Sequence, residues 1–142
     1  MANDKLKLAK ADSYTEFVRS LELIVIALTA STARIRRYEY FQARGRELSA
    51  AVSLTPKRVS KDYFDLEARA RVRSTSKSSG SLFSFSATYE LHFHAKPPID
   101  AKLVRRFADS DAHFILWPYL REHVSDVSGR MYIPPILLPV SR

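Results

Sequence analysis

Cysteine is absent from these 142 residues, which excludes disulfides and thiolate metal sites. A reducing cytosol fits that absence. Glycine occurs three times, too few to shape a phosphate-cradling loop or a tight catalytic site. No apolar run reaches the ~18 residues that a membrane span needs, so no membrane insertion is expected. Met1 to Lys10 lacks the apolar core of a signal peptide, and a cytoplasmic location is the expectation. Acidic residues are the minority, 15 against 23 basic, for a net charge of +8. Carboxylates and histidines are scattered, with no nucleophile and base at fixed spacing. The chain is therefore read as no enzyme, with no catalytic residue and no cofactor.

Apolar residues make up 46% of the chain, enough for one globular domain over 1–142. Residues 1–12 read as a polar tail. Ser13-Tyr-Thr-Glu16 has capping-box spacing and predicts a short helix near Tyr14–Ser20. Leu21–Leu28 is nearly continuous in apolar, β-branched residues. It reads as a strand covered on both faces, with a longer helix as the competing reading. Leu48, Val52 and Leu54 share one parity and predict a half-buried strand ending near Pro56. Phe64 to Val72 alternates with Asp65, Glu67, Arg69, Arg71 and Arg73. Phe83, Phe85, Ala87, Tyr89, Leu91, Phe93 and Ala95 alternate with polar residues, the longest unbroken period of two in the sequence. The four strands fall within 21–96.

A helical region follows over 98–131. Asp100 is placed to cap a helix bearing Leu103, Val104 and Phe107. Leu116, Leu120, Val124, Val127 and Met131 keep helical spacing. Pro118 fits either the first turn of that helix or a kink in one begun near Asp111. Gly129 suits a left-handed residue closing the helix. Pro134-Pro135 and Pro139 make 132–142 an extended apolar tail. Strands followed by helices define an α+β class. So much apolar surface with so little chemistry is either buried in an oligomer or offered to another polypeptide.

Ile115-Leu-Trp-Pro-Tyr119, Arg121-Glu122, Gly129-Arg130 and Pro134-Pro-Ile-Leu-Leu-Pro139 resemble the SecB family of export chaperones. The wording around Arg121 and Ser128 is closer to the divergent SecB-like chaperones that accompany toxin–antitoxin pairs. The resemblance covers roughly residues 15–140 and is most specific in the last third. It implies a four-stranded antiparallel sheet with helices packed on one face. It also implies a homodimer or homotetramer and ATP-independent holding of unfolded polypeptide. The client would be a preprotein or an antitoxin. Three departures bear on the motor ATPase SecA, which docks on an acidic sheet face in SecB proper. The first strand offers only Glu22, although Glu90 on the last strand is a possible remaining counterpart. Arg69, Arg71 and Arg73 occupy the charged face. The sequence ends at Arg142, without SecB's further C-terminal helix. SecA binding is therefore doubtful, while client holding is not touched.

Within that reading, Tyr38, Tyr40, Phe41, Phe83, Phe85, Trp117 and Tyr119 are the candidate client-binding residues, with core packing as the alternative for each aromatic. Leu116, Leu120, Val124 and Val127 are the candidate oligomer interface. His92 and His94 flank one strand position beside Glu90. They read as a solvated face, and no metal is expected. Arg34-Ile-Arg-Arg37, Arg69–Arg73 and Arg105-Arg106 support an alternative function, a basic nucleic-acid-binding module. That alternative finds no helix-turn-helix and no aromatic RNA-binding motif to rest on.

Overall fold

The two longest alternations in the sequence become the centre of a sheet. The structure, a computed structural model, describes residues 13–140. The expected polar tail over 1–12 and residues 141–142 lie outside the described residues. A first helix, α1 (13–20), precedes β1 (Glu22–Ile35), α2 (Arg37–Gln42), β2 (Glu47–Val59), β3 (Tyr63–Ser76) and β4 (Gly80–His94). Helices α3 (Ala101–Asp109) and α4 (Ala112–Arg130) follow. The strand order is β1-β4-β3-β2, and every neighbouring pair is antiparallel. The fold is α+β: a four-stranded antiparallel sheet with helices.

Alternation decides the two faces of the sheet. Phe64, Leu66, Val72, Phe85, Leu91 and Phe93 are shut from solvent on the inner face. Each fully buried apolar side chain of this size contributes about 1.5–3 kcal/mol. The helices are locked onto this face by a ring cluster. Phe17 of α1 stacks on Phe64 of β3, at 5.9 Å between centroids. Phe107 of α3 meets Phe93 of β4 edge-on at 5.3 Å. Asp100 caps α3 by accepting from the Lys102 N–H at 2.9 Å, as its position predicts. Ser13 is already helical, so it does not flank α1 as a capping box requires.

The outer face is polar and ordered in rows across the strands. Arg34, Ser84 and Arg73 share one row. Ser86 and Arg71 form the next, and Thr88 and Arg69 the third. Glu90 and Glu67 follow, then His92 and Asp65.

Three expectations need correction. β1 runs on to Ile35, and Ile24, Val25 and Leu28 along it are exposed, so its two faces are not both covered. β2 continues past Pro56 to Val59 through a register shift between Pro56 and Arg58. Proline is tolerated there because β2 is the other edge strand. Gly129 lies inside α4, and Tyr132 takes the left-handed conformation instead, at φ 57°. A positive φ is required of glycine at Gly80, φ 68°, which closes the β3–β4 hairpin.

Helix α4 begins beside Asp111 and carries Pro118 within it without ending there. Its apolar residues exceed one stripe because two neighbours share it. Leu116, Leu120 and Val124 enter the core. Trp117, Arg121 and Ser128 hold the chain beyond Met131. The Trp117 indole donates to the Pro139 carbonyl at 2.7 Å, and Arg121 Nε to that of Leu138 at 2.9 Å. The Ile136 N–H donates to Ser128 Oγ at 2.8 Å. Ile133, Ile136 and Leu138 are buried along this irregular strap.

Candidate functional site

Apolar side chains left in solvent occur on β2 (Leu48, Val59), at Phe114 and along the strap (Tyr132, Leu137, Val140), and two further groups lie on β1 with its cleft to α4 and on α2. β1 bares Ile24, Val25 and Leu28. Its outer edge has no partner strand among the described residues. The two sheet edges are built differently. β2 carries Pro56, Lys57, Arg58 and a register shift, the devices that keep an edge strand from pairing with another chain. From Leu23 to Ala33, β1 has neither charge nor proline. Its two register shifts, between Leu23 and Val25 and between Leu28 and Ala30, are its only irregularities.

Beside this edge lies an open cleft of about 560 Å³ lined by Ile26, Leu28, Tyr89, Tyr119, Glu122 and His123, with Ser125 and Asp126 at its end. Its floor is a polar contact between the buried Tyr89 ring and the half-buried His123 ring. Tyr89 Oη and His123 Nδ1 are 2.9 Å apart, and the imidazole stands edge-on to Phe85 at 4.8 Å. Burial pushes the Tyr89 hydroxyl up to about 12. Burial also lowers His123, against the opposing pull of the Asp126 carboxylate. Both shifts favour the uncharged forms of the phenol and the imidazole. The cleft is lined by apolar and uncharged groups at its floor and by carboxylates only at its rim.

The second cluster is on α2. Tyr38 is 74% exposed and Phe41 51% exposed, whereas Tyr40 turns inward under the Arg46 guanidinium, 4.1 Å from its ring. Arg37 on the same helix reaches the strap. Its Nε and Nη2 donate to the Met131 and Tyr132 carbonyls at 3.0 and 3.1 Å. The exposed aromatics are therefore fixed relative to the end of α4.

The candidate client-binding residues separate by burial. Tyr38, Phe41 and Tyr119 face solvent. Tyr40, Phe83, Phe85 and Trp117 do not. Phe83 and Phe85 lie on the inner face of β4, Tyr40 under Arg46, and Trp117 beneath the strap. The interface stripe is corrected in the same way. Leu116, Leu120 and Val124 are fully buried inside this one chain, and Val127 packs against the same core. Their helical spacing marks a buried stripe without saying whose surface covers it. Ile24, Val25 and Leu28 fall in the stretch that the sequence marks as apolar on both faces and in need of further cover, but are not among its candidate site residues. The signal was present in the contrast between a charged, proline-bearing strand and an uncharged one.

On the outer face His92 Nδ1 contacts Asp65 Oδ1, and the His92 and His94 rings meet edge-on at 5.2 Å. No cluster of three or more metal-ligating side chains occurs among the described residues. No helix among them is long and apolar enough to cross a membrane.

No family profile matches the chain. Two curated relatives do, the SecB-like chaperones Rv1957 and MT2006 of two Mycobacterium tuberculosis strains. Each is 33% identical over 60 residues, which is 41% of this chain. The match spans a third of the length of those relatives. A solved structure of the Mycobacterium tuberculosis Rv1957 SecB-like chaperone, in complex with a ChAD peptide from the Rv1956 HigA1 antitoxin, superposes with a TM-score of 0.75. It covers 90% of this chain and 95% of that one, at 15% identity. In fold over nine-tenths of its length, and in sequence over 60 residues, the chain is similar to the SecB-like chaperones.

Proposed function

We propose that this chain is an ATP-independent holdase that keeps extended, apolar segments of non-native polypeptide from aggregating in the cytoplasm. One observation carries the reading: in a SecB-like fold, Tyr38, Phe41, Leu28 and Tyr119 stand in solvent around the helix side and the β1 edge. Unfolded clients share little beyond apolar side chains and free backbone, so a surface that asks for no strict shape suits them. The favoured client is a segment of an antitoxin, because the similar solved chaperone holds an antitoxin peptide. A preprotein awaiting export is the other client class. The uncharged β1 edge supports pairing of two copies into a homodimer, and dimers into a homotetramer.

The reading is tested by the turbidity of a reduced, unfolding model protein without ATP. A several-fold excess of the chaperone should suppress aggregation, and unchanged turbidity would overturn the proposal. Tyr38→Ser combined with Phe41→Ser should weaken client binding by about 1–3 kcal/mol. Both side chains are exposed, so folding should be preserved.

A further inference from the structure

Apart from Val25, which pairs with His92, the outer face of the sheet shares no residue with the apolar surface described above, and its charges are sorted along the strands. Arg73, Arg71 and Arg69 point outward at successive alternate positions of β3, and Arg34 of β1 shares the row of Arg73. Arg69 is satisfied by Glu67, with Nε 2.8 Å from its carboxylate. Among the described residues, Arg34, Arg71 and Arg73 have no ion pair and no hydrogen-bonding side chain. All three are exposed. Between them β4 contributes only short hydroxyl residues, so the guanidinium groups stand above a low, flat floor. Like charges held this close repel one another and favour an anionic partner.

The spacing and the sign pattern choose the partner's class. Alternate residues of a strand are about 6.6 Å apart. An extended polypeptide lying along β3 presents carboxylates at the same repeat when every second residue is acidic. Beyond Arg69 the face changes sign at Glu67 and Glu90. A nucleic acid continuing along the strand would carry its phosphates onto those carboxylates. A polypeptide can end its acidic run there. We propose that this face is a second docking surface, taking an acidic segment of another polypeptide in extended form, with carboxylates at alternate positions over Arg69, Arg71 and Arg73. The proposal does not rest on the holdase reading.

The test is fluorescence anisotropy with a short labelled peptide of alternating glutamate and serine. A glutamine version, an oligonucleotide of similar length and an unfolded apolar peptide serve as comparisons. The glutamate peptide should bind at low salt and weaken as salt rises. Arg69→Ser, Arg71→Ser and Arg73→Ser together should weaken it about tenfold, as expected for a few exposed ion pairs. Arg71→Ser alone, which removes no contact, should weaken it several-fold and guards against misfolding of the triple variant. Equal binding of the glutamine peptide would overturn the proposal. So would tighter, arginine-dependent binding of the oligonucleotide. A change of oligomeric state in the triple variant would assign the face to a second copy of this chain and overturn it too. Loss of apolar-peptide binding in the triple variant, with its circular dichroism intact, would overturn the claim of two separate surfaces.

Discussion

Gly129 and Tyr132 have exchanged the conformations that their residue types suggest. The glycine is helical, with open space where a Cβ would sit. The tyrosine holds the left-handed turn, where its side chain is almost wholly in solvent. A glycine in a left-handed closing position resists substitution, because any Cβ is strained there. A helical glycine instead weakens its helix. Gly129→Ala is therefore expected to stabilise the chain by about 0.5–1 kcal/mol, read as a raised denaturant midpoint with unchanged slope. A fall in the midpoint would return the left-handed role to residue 129. The local sequence Ser-Gly-Arg-Met-Tyr does not reveal this. The turn is set by distant partners: Arg37 holds the Met131 and Tyr132 carbonyls, and Ser128 holds Ile136.

Strands β3 and β4 were legible because a two-residue period over a dozen positions has one structural meaning. The rest was less so, since a buried stripe looks the same whether the cover comes from the same chain or another. Leu116, Leu120 and Val124 on α4 and Ile24, Val25 and Leu28 on β1 are all apolar. Burial in the chain assigns the first to the core and leaves the second outside. Substitution should separate them. Leu120→Asp places an unpaired charge in a fully closed site and should cost about 3–5 kcal/mol, unfolding the protein or leaving it marginal. Leu28→Lys, at a half-exposed edge position, should leave thermal unfolding of the protomer nearly unchanged. It should raise the dissociation constant of the proposed homodimer about tenfold or more. Sedimentation across a concentration series, beside circular dichroism, reads both effects. An unchanged association constant for Leu28→Lys would remove β1 from the interface. The candidate aromatics divided on the same ground: α2 is six residues long and buries Tyr40, so its neighbours Tyr38 and Phe41 point elsewhere.

At the scale of the molecule, charge and topology act together. The net charge of +8 is concentrated partly on the outer sheet face, through Arg34, Arg69, Arg71 and Arg73. The outer sheet face is basic over three rows, with Glu67 and Glu90 in the fourth, the opposite of the acidic face that a resemblance to SecB implies for SecA docking. Calorimetry at physiological salt is expected to show SecA binding weaker than micromolar. Micromolar or tighter binding would mean that the remaining acidic row suffices.

Topology also sets an order of events during synthesis. Among the described strands β1 is the first made and the last to find its neighbour, because Glu22 pairs with His94 and Ile35 with Phe83. All of α2, β2 and β3 must leave the ribosome before β4 follows. At roughly 5–20 residues per second, β1 spends several seconds with both edges bare. Its uncharged run is then the most adhesive part of the nascent chain. In the proposed homodimer, a neighbouring nascent copy on the same polysome would offer its own β1 as a matching edge during that interval, before either protomer is complete.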